Sequence, residues 1–239
     1  MQQAETCVND WLAALPAEVF DRLSPHLRTC VLARGQVLAD PGHCMSHVYF
    51  PTTSVVSLLW TTAAGESLMV ALSGSDGLVG VSAVGAPWGA PGLAVVQREG
   101  EALRLPMQVM QQEFAKGGAV HDLTLRYCQY LMAQMAQTAL CSHVHNVEQQ
   151  MCRWILTVLD LCGAERLMVT QQELATAIGA RREGISSAAG KLHVARVLYW
   201  GRGHITVYSR PRLGADCCEC YRSLRATARR LFDFKPPEA

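Results

Sequence analysis

The chain has 239 residues, with 21 Lys+Arg against 20 Asp+Glu and a net charge of +1. Half of its residues are apolar, which excludes wholesale disorder, and the length suits two small domains better than one. The near-zero charge hides a division: residues 1–150 carry 7 Lys+Arg and 12 Asp+Glu (−5), and residues 151–239 carry 14 and 8 (+6). Only Lys116, Lys191 and Lys235 are lysines, and the arginine fork suits phosphates and guanine edges. An acidic module joined to a basic one is expected. Met1 to Glu5 lack a basic run and no apolar run follows, so no secretory signal is expected and the ten cysteines should be cytosolic thiols. Stretches 41–65, 77–97 and 127–147 lack Asp, Glu, Lys and Arg. They are broken by glycines, prolines or polar side chains, so no membrane span and no membrane partner is expected.

In chain order, Trp11, Leu12, Leu15, Val19, Phe20 and Leu23 have helical spacing, with Pro16 starting a second short helix. From Cys30 to Pro106, short β-type runs (48–50, 55–60, 68–72, 93–96 and 102–105) alternate with glycines, as in an antiparallel barrel or sandwich. After Gly117-Gly118 the pattern is helical for about thirty residues. Leu123, Tyr127, Tyr130, Leu131, Gln134, Met135, Thr138 and Cys141 fall near one stripe, which suits packing on the barrel or against a second copy. Glu148–Leu161 is another amphipathic helix, ended by Gly163, and a compact unit follows from Leu167 to Tyr208.

That unit carries the strongest motif. Thr170 and Glu173 form a capping box opening a helix over 171–178, Gly179 allows a tight turn, and a second helix runs from 181 to about 193. The second helix buries Ile185, Ala188, Ala189 and Leu192 and presents Arg181, Arg182, Glu183, Ser186, Ser187 and Lys191. Two β runs, 197–200 and 204–208, joined by Gly201-Arg202-Gly203, complete a winged helix-turn-helix. A recognition helix places its N-terminal residues on base edges, so Arg182 suits guanine and Glu183 suits cytosine N4. Thr170, Arg181, Ser186, Lys191 and Arg202 are candidate phosphate contacts.

The segment Thr170–Leu192, together with Tyr199–Val207 and Cys218-Glu-Cys-Tyr221, resembles the DNA-binding end of CRP/FNR-type transcription regulators. His145–Trp154 resembles the family's entry into that domain, and Val48–Ser57 and Val95–Gln97 resemble its sensory barrel. The resemblance implies an α+β chain in three parts: an antiparallel β-roll (jelly-roll, cyclic-nucleotide-binding-like) sensor over 1–116, a long dimerisation helix over 117–147, and a winged helix-turn-helix with C-terminal helix over 148–239. It further implies a homodimer reading a near-palindromic site in double-stranded DNA, with RNA polymerase as a further partner. Arg182, Glu183 and Ser187 take the base-reading positions, and Leu123, Tyr127, Leu131, Met135 and Thr138 the dimer seam. Family members that bind cyclic nucleotides use a Glu and an Arg-Ser or Arg-Thr pair. Here 77–97 contains neither Glu nor Arg, and Gly92 and Leu93 stand at those positions, so cyclic AMP is not the expected effector. Cys7, Cys30 and Cys44 do not match the iron–sulfur members' cluster, Arg196 stands where Gly usually follows the recognition helix, and Ser209 replaces an acidic residue.

Other constellations carry weaker chemistry. Cys217, Cys218 and Cys220, read as helical, should diverge and serve as structural thiols, so no metal ligand and no catalytic residue is expected. Cys141 and His145, one helical turn apart, could share a ligand across a dimer; His143 would point away, and His43 and His47 flank a turn. Arg222, Arg225, Arg229 and Arg230 suit either a phosphate-facing stripe or a solvated last helix, and 235–239 should fray. A cupin-like metalloenzyme would need histidines in strands, and 48–105 has none. A sensor acting through protein contacts would not need the Arg182-Glu183 pair. For the effector, an apolar ligand, a haem, thiol redox or none remain open.

Overall fold

The computed structural model describes residues 9–85, 89–164, 166–201 and 203–233. Two short helices, α1 (Asp10–Ala13) and α2 (Ala17–Leu23), come first. Asn9 caps α1 through its side-chain oxygen, and its amide donates to Pro51 O and Gly77 O, both at 2.8 Å. Those bonds fix the helices on the strands, with Trp11 fully buried against Phe50.

The strands are β1 (Arg28–Leu32), β2 (Val37–Ala39), β3 (His47–Pro51), β4 (Val55–Thr61), β5 (Ser67–Ser73), β6 (Leu93–Arg98) and β7 (Gly100–Pro106). They form two antiparallel sheets, β1-β7-β3 and β2-β6-β4-β5, whose inner faces meet through Leu32, Val48, Phe50, Val56, Ala71, Val96 and Leu105. The five expected β runs lie in β3 to β7. β1 and β2 are not legible in the sequence because both are edge strands that bury one residue each, Leu32 and Ala39. Two helices also unread in the sequence, α3 (Val81–Val84) and α4 (Met107–Ala115), close the roll.

The long helix is α5 (Ala119–Val144), entered through Gly117 and Gly118, both at positive φ. Its charge-free stripe turns inward. Leu123, Tyr127, Leu131 and Thr138 are buried and Met135 packs on the roll's core, all within the one chain. The seam expected at Leu123, Tyr127, Leu131, Met135 and Thr138 is thus corrected: of the two uses open to an apolar stripe, these residues take the intramolecular one. The reason is visible at Gln134. β5 is an edge strand, and Gln134 serves as its missing neighbour, accepting from Leu72 N at 3.1 Å and donating to Leu72 O at 3.0 Å.

His145 ends α5 and Asn146 caps α6 (Val147–Cys162) in a capping box with Gln149. Then come β8 (Arg166–Met168), α7 (Gln171–Ile178), α8 (Arg182–Val194), β9 (Leu198–Gly201), β10 (His204–Val207), α9 (Arg210–Ala215) and α10 (Cys220–Asp233). β8 joins the wing hairpin in the sheet β8-β10-β9. The core of this winged unit runs on into Val55, Met69 and Leu72 of the roll, and Trp154 Nε1 lies 3.4 Å from Met69 Sδ. α10 returns to α5, placing Leu231 in the roll's core. Cys217 and Cys218 precede α10 instead of lying within a helix, which corrects the helical reading of the Cys217, Cys218 and Cys220 group. No helix among the described residues is long and apolar enough to cross a membrane.

Candidate nucleic-acid interface

The interface is assembled from α7, the Gly179 turn, α8 and the wing. The capping box at α7 forms as the sequence requires: Glu173 N donates to Thr170 Oγ1 at 3.1 Å, and Thr170 N donates to the Glu173 carboxylate at 2.7 Å. The Thr170 hydroxyl donates to the same carboxylate at 2.8 Å, so the group expected to hold a phosphate is occupied by the cap. Glu173 also pairs with Arg34, from the turn between β1 and β2. Burial pushes the Glu173 carboxyl up, but the Thr170 amide and hydroxyl and the Arg34 guanidinium outweigh it and hold it below the usual range. This roll-to-helix link is not legible in the sequence, where nothing relates residues 139 positions apart.

Gly179 ends α7 at φ 69°, the left-handed conformation that glycine adopts at little cost. Its missing side chain matters too, since a Cβ would lie 3.0 Å from Leu68 Cδ1. α8 then buries Ile185, Ala188, Ala189 and Leu192. Arg181, Arg182, Glu183, Ser186, Ser187 and Lys191 all lie on the opposite side, away from that core. Ser186 Oγ donates to Gln171 Oε1 at 2.7 Å, and Lys191 Nζ lies 3.6 Å from Glu148, a surface pair of little energetic weight. The side chains of Arg182, Glu183 and Ser187 have no hydrogen-bond partner among the described residues.

Two guanidinium groups at the start of α8 oppose the helix dipole, whose positive end lies there. Within the chain that placement is mildly unfavourable. Electron-rich acceptors such as phosphate oxygens, or guanine O6 and N7, would reverse the sign. After α8 the chain turns through Arg196, which takes φ 53° and is the one non-glycine residue at positive φ among the described residues. The hairpin β9–β10 pairs Trp200 with Ile205 and Tyr199 with Thr206. The wing-tip residue Arg202 lies outside the described residues. Arg210 does not face outward for a ligand: it pairs with Asp160, whose other oxygen accepts from Tyr221 Oη at 2.6 Å.

Away from this face, an apolar cavity of about 90 Å³ lies between the roll and α5. Met45, Leu58, Leu78, Val79, Leu131 and Met135 are among its lining residues, and no charged side chain or histidine lines it among the described residues.

Residues 149–215 match the Crp-like helix-turn-helix domain. No curated protein sequence matches the chain. Among solved structures, a CRP/FNR-family transcriptional regulator of Thermus thermophilus superposes with a TM-score of 0.63 at 18% identity, over 79% of this chain and 97% of that one. FixK2 of Bradyrhizobium japonicum gives 0.64 at 12% identity, over 80% and 98%. The c-di-GMP-responsive global regulator CLP of Xanthomonas campestris gives 0.62 at 17% identity, over 81% and 100%. At these identities the likeness is one of fold.

Proposed function

We propose that this chain, which carries a Crp-like helix-turn-helix domain at 149–215 and has the fold of the CRP/FNR regulators, is a transcription regulator of that type. It binds double-stranded DNA sequence-specifically as a homodimer. The observation that carries this reading is the face of α8: Arg182, Glu183 and Ser187 stand unpartnered on a helix whose other side is buried. They read bases, while Arg181, Ser186, Lys191 and Arg202 hold phosphates, with Arg196 added from its exposed position after α8. RNA polymerase is the further partner, in the cytoplasm.

The dimer forms along the outer face of α5. Leu125, Gln129, Met132, Ala136, Ala139 and His143 are all exposed and follow a four-three heptad spacing, flanked by exposed Leu140 and Val144. Over 26 residues, about 39 Å of helix, this supports a second copy packing in parallel. The uncharged cavity supports a small apolar effector, or none, over a cyclic nucleotide, whose phosphate would be buried without a cation. A volume of about 90 Å³ favours a small ligand over a haem. The absence of histidine and carboxylate from its described lining also removes support for a cupin-like enzyme.

Site selection from random duplexes followed by mobility-shift titration tests the proposal. A near-palindromic consensus is expected. Arg182→Ala should cost about 1–3 kcal/mol per half-site and relax preference at one base position. Sequence-independent binding, or equal weakening on every duplex, would overturn the assignment.

A further inference from the structure

At the junction of α5, α6 and α10, four soft donors converge that the DNA-binding reading does not use. Cys141 and His145 lie one turn apart at the C-terminal end of α5. Cys220 opens α10, and Cys218 lies two residues before it. Cys141 Sγ and Cys218 Sγ are 3.6 Å apart, Cys220 Sγ and His145 Nδ1 are 3.5 Å apart, and all four donor atoms lie within 4.8 Å of one another. Around a tetrahedral zinc, sulfurs at about 2.3 Å and a nitrogen at about 2.0 Å from the metal give edges of about 3.8 Å and about 3.5 Å. The two closest spacings fall near those edges.

The surroundings match a metal centre independently. His145 Nε2 lies 3.3 Å from the Glu219 carboxylate, which orients the ring and leaves Nδ1 facing the thiols. Gln137 Nε2 donates to Cys220 Sγ at 3.0 Å. Arg153 is buried, its guanidinium acts electrostatically on Cys141 and Cys217, and its Nε finds no hydrogen-bond partner among the described residues. A buried cation needs compensation. Zn²⁺ with three thiolates and a neutral imidazole carries one negative charge, which supplies it.

We propose that Cys141, His145, Cys218 and Cys220 bind a single Zn²⁺ ion, which staples the start of α10 to the hinge where α5 passes into α6. The ion takes the three thiols as thiolates and releases their protons to solvent. A two- or four-iron cluster fits less well, because bridging sulfides spread its cysteines wider than one ion does. Cys217 packs beside this cluster but is not one of the four converging donors.

Metal analysis of the full-length protein, purified under reducing conditions without chelator, tests this without reference to DNA. About one zinc per chain is expected. Cys218→Ser and His145→Ala should lose it, and Cys217→Ser should keep it. Should the ligand variants fold poorly, Co²⁺ exchanged into the wild type provides a second readout, with intense tetrahedral d–d bands and thiolate-to-cobalt charge transfer. Four results would overturn the proposal: freely reactive thiols with no bound metal, a Cys141–Cys218 disulfide, an iron–sulfide chromophore, or metal lost in Cys217→Ser but retained in Cys141→Ser.

Discussion

Replacing Asp76 by Asn isolates one charge in the groove where α1, the roll, α5, α6 and α10 meet. Asp10, Tyr130, Asp160, Tyr221, Arg225 and Arg229 line that groove with it. Asp76 accepts from Gly74 N at 3.2 Å and from Tyr130 Oη at 3.1 Å, but loss of water outweighs both bonds and raises its pKa from 3.8 to about 6. A shift of that size corresponds to about 3 kcal/mol held against the native state whenever Asp76 is ionised in both states. The sign follows from proton counts. Between pH 6 and pH 4 the native protein binds a proton that the unfolded chain does not, so stability rises as pH falls. About 1 kcal/mol of this should appear between pH 7 and pH 5. Glu113 and Glu173 act oppositely, since their pKa values are lowered and their contribution is lost on acidification. From their usual 4.5 that loss falls below the pH 7 to 5 window. Urea denaturation of both proteins at pH 7, 6 and 5 is the assay. Asp76→Asn should be more stable than wild type at pH 7, and the gap should narrow at pH 5. A gap that stays constant over this range would refute the assignment of the raised pKa to Asp76.

Three further outcomes are expected. Arg196→Gly should raise stability by about 0.5–1 kcal/mol in thermal unfolding, since φ 53° costs an L-residue about 1–2 kcal/mol and glycine returns part of that as chain entropy. Met132→Asp, on the exposed heptad face, should yield monomers in light scattering with the fold intact by circular dichroism; persistence of the dimer would move the seam elsewhere. Gly77→Ala should destabilise by about 1–3 kcal/mol, because the new Cβ would lie 2.1 Å from the Tyr127 ring, whose hydroxyl is held by Ser73 at 2.9 Å.

The parts of the fold legible in the sequence are those whose signals are local. The Thr170–Glu173 box, Gly179 and the Ile185-Ala188-Ala189-Leu192 face define the helix-turn-helix to within one residue, because each acts over at most four positions. The charge-free stripe of α5 is equally visible, but periodicity shows only that a face is buried, not by what. Gln134 in the edge of β5 and Tyr127 over Gly77 decide for the chain's own roll. That leaves Leu125, Gln129, Met132 and Ala136, a mildly apolar row with no strong hydrophobic signal, as the outward face. The thiols escape a local reading for a related reason. The bend at Cys217-Cys218 is irregular backbone, and it brings Cys218 and Cys220 beside donors more than seventy positions earlier.

The contacts that join the acidic and basic parts of the chain differ in strength, and the difference says which sets their relative orientation. Arg34–Glu173 is a partly exposed ion pair, worth about 0–1 kcal/mol and weakened by salt. Trp154 and Met69 are almost wholly buried against each other, and large apolar side chains of this kind contribute about 1.5–3 kcal/mol each. The apolar seam therefore holds the winged unit on the roll, and the ion pair adds little to it. Any rearrangement that swings α8 away from the roll must open the Trp154–Met69 contact. It must also carry α6, and with it the donors gathered at the hinge. Such a movement is governed by burial of β4 and β5 residues, and salt should change it little.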